Sequence, residues 1–334
     1  MEISRIYKNI TDRRDVWDYY NTNITAPVLT NHKDCGRFIM EYISCSEKAN
    51  TELYRNIKEL EDKSPQRLSH IVSTFFLGLW LFHNKRTSFI HRVITDKLRV
   101  LKCFHEDPMD IDRQFSYVWF MASLFHDLGY PAENSKEGKK LPYNFIPYVN
   151  SVPDYYCDVY NSYYNYREKK EHGIFAGLTF DKDMCEIRRS KEDSNEMGLS
   201  WRVELEDLYH YVAWIILAHN IWMIRNDKTD ENTLDKYRNA GLEELILQLD
   251  RDGLNVDYKF RCENYPLFTF FCIIDTIEPL KSSSCLSYID IQLKHGKIII
   301  ESNDSVYLQK IKGLNDWLTP TTEENDTVII HLRM

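Results

Sequence analysis

The sequence predicts a mainly α protein ending in a small α+β unit. Between residues 64 and 284 apolar residues recur in long runs at helical spacing, and after about residue 284 the period turns alternating. A third observation concerns chemistry. His70, the adjacent pair His126-Asp127, His172, His219 and Asp275 each lie within or at the end of an apolar helical run. Imidazole and carboxylate are costly to bury unless something pairs them. A divalent metal centre is the simplest shared explanation for four such histidines and two aspartates.

The totals set bounds. A chain of 334 residues can form one large domain or two smaller ones. Its 43% hydrophobic and 28% charged residues are ordinary for a globular protein. The formal net charge of −9 makes nucleic acid a poor partner. Eight cysteines (Cys35, Cys45, Cys103, Cys157, Cys185, Cys262, Cys272, Cys285) include no CxxC pair, and several sit in apolar runs. They read as reduced, structural thiols in a cytoplasmic protein. The first residues, MEISRIYKNITDRRD, contain no signal-peptide stretch. The longest apolar run, Ile71 to Phe82, is too short to cross a bilayer.

Residues 1–63 read as a helical segment packed on the core, with Phe38, Ile39, Tyr42 and Ile43 at helical spacing and Lys48 to Lys63 as a solvated helix. Ser64-Pro65 is an N-cap followed by a first-turn proline. The helix it starts, QRLSHIVSTFFLGLWLFHN, is apolar nearly all round and therefore central. A second helix, Phe89 to Leu101, holds His91 with His105 just beyond; both read as ordinary histidines. A third runs from about Arg113 to Leu128, with His126 and Asp127 in its last turn, Gly129 at C′ and Pro131 blocking a restart.

Residues 131–170 read as an irregular insertion, in which Lys136, Lys139 and Lys140 read first as a solvated loop and second as the lining of a site entrance, and the tyrosine-rich stretch PDYYCDVYNSYYNYR first as packing on the core and second as a stacking surface for a base or sugar. His172 opens the helix HGIFAGLTF, whose small residues allow close helix approach, and 181–200 reads as a polar loop. LEDLYHYVAWIILAHNIW carries His210 and His219 nine positions apart, half a turn net, so only His219 joins the common site. YPLFTFFCIIDTIEPL places Asp275 deep in an apolar helix closed by Pro279. Glu278 follows, as a group backing a ligand or as an exposed cap. Residues 64–284 thus form the metal-binding helical domain. Residues 285–334 form a ββαβ unit: a hairpin of SYIDIQL and KIIIES around His295-Gly296, the helix DSVYLQKIKGLNDWL and the strand DTVIIHLRM. That unit is a candidate interface.

Imidazole and carboxylate suit borderline or hard divalent ions, and no thiolate stands at matching positions. Asp127, with two oxygens, can bridge two ions. His70, His126 and Asp275 complete one, and His172 and His219 the other. Two ions about 3.5–4 Å apart suit phosphate-ester hydrolysis, since one acidifies a water and both offset phosphoryl charge. Arg67, one turn before His70, is a candidate phosphate contact in the same cleft.

In order along the chain, RLSHIVST, FHDLGYP, EHG, AHN and LFTFFCIIDTIEP resemble the ligand motifs of the HD-domain metal-dependent phosphohydrolase superfamily, over residues 60–285. The resemblance implies an HD-domain helical bundle with the metal site in a cleft between helices, and a phosphorylated substrate such as a nucleotide. His70, His126, Asp127 and Asp275 match the minimal ligand set. His172 and His219 match the two extra histidines of the dinuclear subgroup, which implies two divalent ions (Mn, Fe, Mg, Ni or Zn). Tyr130 stands where the cyclic-dinucleotide branch usually has lysine, so cyclic di-GMP is not assigned. The six residues also resemble the ligands of the mixed-valent di-iron oxygenases on this fold. A non-catalytic regulatory module is the third reading.

Overall fold

A computed structural model describes residues 52–84, 111–133, 140–141, 164–165, 169–190, 192, 203–220, 260–261, 266–281, 289–294, 297–319 and 330–333. Within them the fold is mainly helical, with a small α+β appendage at the C-terminal end. The pattern at Phe38–Ile43, the helix Phe89–Leu101 with His91 and His105, Lys136, Lys139, and most of the tyrosine-rich stretch lie outside the described residues.

Helix α1 (Glu52–Lys63) leads into α2 (Pro65–Asn84). Helix α1 is amphipathic rather than solvated: Leu53, Ile57 and Leu60 are buried, while Arg55, Lys58 and Lys63 face water. Helix α2 is buried along most of its length, and α3 (Ile111–Phe125) packs against it. The Trp119 indole N–H donates to the Phe75 carbonyl at 2.9 Å. The indole lies so close over Gly78 that a side chain there would overlap it. Phe82 and Phe115 stack face to face, with ring centres 3.5 Å apart.

Two sequence expectations are corrected at the end of α3. The helix stops at Phe125, so His126 and Asp127 lie in the tight turn that follows, and a short helix α4 (Tyr130–Glu133) restarts across Pro131. Proline is tolerated in a first helical turn, where its missing N–H would have no partner anyway. Gly129 serves close approach: any side chain would overlap the carbonyl oxygen of His172.

Helix α5 spans His172–Ser190, ten residues past the expected end at Phe180. The reason is that its charged half is internally paired. Asp183 accepts the Leu53 backbone N–H at 2.8 Å, and Arg188 and Arg189 reach Glu206 at 2.7 and 2.9 Å. Glu206 belongs to α6 (Glu204–Ala218), which runs antiparallel to α5. Gly173 meets the Ile216 carbonyl and Gly177 the Ala213 carbonyl, so the small residues allow the backbones to approach closely.

Strand β1 (Phe260–Arg261) precedes α7 (Pro266–Ile277), which is buried throughout and passes into a 3-10 turn, Pro279–Lys281. In the appendage, β2 (Ile289–Lys294) pairs antiparallel with β3 (Lys297–Ser302), and Ile291 lies opposite Ile300. Helix α8 (Ser305–Trp317) then returns the chain to β5 (Ile330–Arg333), which lies parallel to β3. A two-residue strand β4 (Leu318–Thr319) pairs with β1. The Tyr307 hydroxyl of α8 donates to the Ile277 carbonyl at 2.5 Å, so the appendage is fastened to the end of α7. Among the described residues no helix is long and apolar enough to cross a membrane.

Candidate metal centre

Five elements deliver the six expected ligands to one place. His70 comes from α2, His126 and Asp127 from the turn after α3, His172 from the first residue of α5, His219 from the end of α6, and Asp275 from the last turn of α7. All six are buried.

The four imidazoles share one arrangement. His126 Nδ1 donates to the Ser123 carbonyl at 2.7 Å and His219 Nδ1 to the Ile216 carbonyl at 2.5 Å. Carbonyls only accept, so Nδ1 of each ring carries a proton and Nε2 is the nitrogen left to face inward. His70 Nδ1 meets Glu278 Oε2 at 2.6 Å, and His172 Nδ1 meets Glu133. Metal-binding histidines are held in this way, the outer nitrogen on an acceptor and the inner one facing the ion, and at His172 the Asn220 side-chain amide also lies 3.0 Å from Nε2.

The inner nitrogens converge. Nε2 of His70 and His126 are 3.3 Å apart, and each lies within 3.2 Å of Asp275 Oδ1. Asp127 Oδ1 is 3.2 Å from His126 Nε2 and 3.4 Å from His172 Nε2, while its Oδ2 is 3.6 Å from His70 Nε2. Ligand atoms of His70, His126 and Asp275 lie within 4.8 Å of one another, and so do those of His126, Asp127 and His219. The first group is the expected one. In the second, His126 and Asp127 close on His219, and His172 approaches through Asp127.

Unmet hydrogen-bonding capacity is found at the ligands themselves. Both Asp127 oxygens and His219 Nε2 are buried without a hydrogen-bond partner among the described residues. A buried polar atom left unpaired costs about 1–3 kcal/mol, and a cation at this point would satisfy all three. The residues therefore fit a divalent ion.

Charge keeps the donors poised. Burial opposes ionisation of Asp127, yet His126, His172, Arg67 and His70 outweigh it and hold the carboxyl well below its usual range. Asp275 is likewise held low against burial by Lys281, whose ammonium binds its second oxygen, and by His126 and His70. In the metal-free site burial disfavours the His70 cation, but Asp275 and Glu278 raise its pKa to about 9. Asp127 and Glu133 likewise raise His172 to about 10. His219 is depressed well below the imidazole range, first by burial.

Arg67 does reach the cleft. Its Nη1 lies 3.6 Å from Asp127 Oδ2 with no hydrogen-bond partner, and its guanidinium stands 4.0 Å over the Tyr130 ring. Tyr130 in turn stacks on His172 with ring centres 4.0 Å apart. Lys140 is exposed. Glu278 resolves as a ligand support and not an exposed cap: it is fully buried, accepts the Ser73 hydroxyl at 2.5 Å and accepts the Lys281 backbone N–H at 3.0 Å. His210 joins a different cluster on Asp181. Sequence reading missed Glu133, Tyr130 and Lys281 as site residues. The one available signal was position, since each falls within a few residues of a ligand. Comparison of the chain with protein-family models, curated proteins and solved structures returns no match.

Proposed function

We propose that this chain is an HD-type, metal-dependent phosphohydrolase acting on a nucleotide or related phosphate ester. The observation that supports it most is the set of four imidazoles, each with Nδ1 held by an acceptor and Nε2 turned toward Asp127 or Asp275 or left without a partner. Divalent ions held by His70, His126, Asp127, His172, His219 and Asp275 would acidify a water and offset charge on the phosphoryl group. Asp127, ionised at neutral pH, orients the attacking water by accepting its hydrogen bond. Arg67, braced on Tyr130, offers its free Nη1 to a phosphate oxygen. Phe271 packs edge-on against His126 and His219 and keeps water from the inner side of the site.

The test is a screen of nucleotides and phosphodiesters against the full chain loaded with defined metals, alongside elemental analysis. Asp127→Ala is expected to abolish turnover and lower metal content. Wild-type turnover in that variant would sink the reading. Turnover that requires oxygen would replace it with the oxygenase reading.

A further inference from the structure

A second cluster of donors lies on the same pair of helices, away from the centre described above. Asp181 and Cys185 stand one turn apart on α5, and His210 faces them from α6. Ligand atoms of the three lie within 4.8 Å of one another, and all three side chains are buried. His210 Nδ1 is hydrogen-bonded to Asp181 Oδ1, and Cys185 Sγ lies 4.0 Å from the same oxygen. The second carboxylate oxygen, Asp181 Oδ2, is buried with no partner among the described residues.

We infer that Asp181, Cys185 and His210 form a second metal site, for a zinc-like ion with mixed sulfur, nitrogen and oxygen ligands. Zinc takes thiolate at about 2.3 Å and carboxylate at about 2.0–2.2 Å, so its tetrahedral edge between S and O is about 3.5 Å. The observed 4.0 Å needs only a small contraction. Binding expels the thiol proton of Cys185 to solvent, neutral His210 shifts its proton from Nδ1 to Nε2 and so frees the Nδ1 lone pair and the Asp181 oxygen for the ion, and water takes the fourth position. A nucleophilic role for Cys185 fits poorly. The thiol is buried, burial and the Asp181 and Glu206 carboxylates raise its pKa, and His210 bonds Asp181 rather than sulfur.

The antiparallel register gives the site its purpose. Asp181 pairs with His210 nine residues along from where His172 and His219 meet the metal centre, about 13.5 Å at 1.5 Å per residue. An ion there clamps the two helices that carry both of those ligands.

Cobalt(II) distinguishes the two sites, because the six ligands of the first include no thiolate. Metal-stripped full chain titrated with cobalt is expected to develop a near-ultraviolet thiolate-to-cobalt charge-transfer band. The band should persist in Asp127→Ala and vanish in both Cys185→Ser and His210→Phe, with circular dichroism confirming their fold. Each of those two variants should also retain one equivalent less zinc than the wild type. No band in the wild-type chain, or a band that survives Cys185→Ser, overturns the assignment. A wild-type spectrum without the band overturns the assignment even where a variant fails to fold.

Discussion

Glu278 binds no ion in this arrangement, yet it fixes the ring of His70 through a 2.6 Å contact and is itself held by Ser73. Removing such a support typically costs about 10–100-fold in metal affinity. Glu278→Gln is therefore expected to fold normally and to release metal at a correspondingly higher chelator sensitivity. An unchanged affinity by competition titration would show that the contact positions nothing. The metal-stripped protein carries a pH signature. His70 and His172 have folded-state pKa values of about 9 and 10, above the ordinary imidazole value of about 6.5. A raised pKa means that the folded state holds the proton more tightly than the unfolded one. That stabilisation is complete below about pH 6.5 and fades as pH climbs through 9 to 10. Denaturation of chelator-treated protein across this range should show falling stability, and a rise would contradict the sign. Metal binding follows the opposite course, because the ion takes the lone pairs that these protons occupy.

At the level of elements, the α5–α6 pair is the part least open to change. A Cβ at Gly177 would stand 2.6 Å from the Ala213 carbonyl and 2.7 Å from Leu217 Cβ. Backbone cannot rotate aside, so Gly177→Ala must part the helices. A loss of about 1–3 kcal/mol is expected, measured by urea unfolding, together with lower metal content because His172 and His219 move with their helices. An unshifted midpoint would mean that the helices are looser than they look. The same elements show what sequence can and cannot reveal. Helices α2, α6 and α7 were legible because their apolar residues leave no polar face, and the ligands stood out against those runs. Residues 181–190 were not, because their charges imitate a solvated loop. Only the fold shows that Asp183 holds α1, that Arg188 and Arg189 share Glu206, and that Asp181 meets His210. Glu133, Tyr130 and Lys281 were hidden for a related reason. A short helix and a 3-10 turn have no period long enough to read.

Across the whole molecule, the appendage is tied to the helical bundle that carries the candidate ligands. The Tyr307 hydroxyl satisfies the Ile277 carbonyl, two residues past Asp275, and Tyr307 itself is fully buried. Tyr307→Phe leaves that carbonyl without its donor and is expected to lower stability by about 0.5–1.5 kcal/mol. Bundle and appendage should unfold in one transition, seen as coincident curves by far-UV dichroism and tryptophan fluorescence. Two separate transitions would make the appendage an independent module. The order in which donors leave the ribosome follows from the same geometry. His70 and Asp275 are 205 positions apart, and the group they form with His126 needs both. A cation held by that group would therefore be loaded only once most of the polypeptide has been synthesised. Metal supply in the cell would then govern how much finished protein matures, rather than how quickly each copy begins to fold.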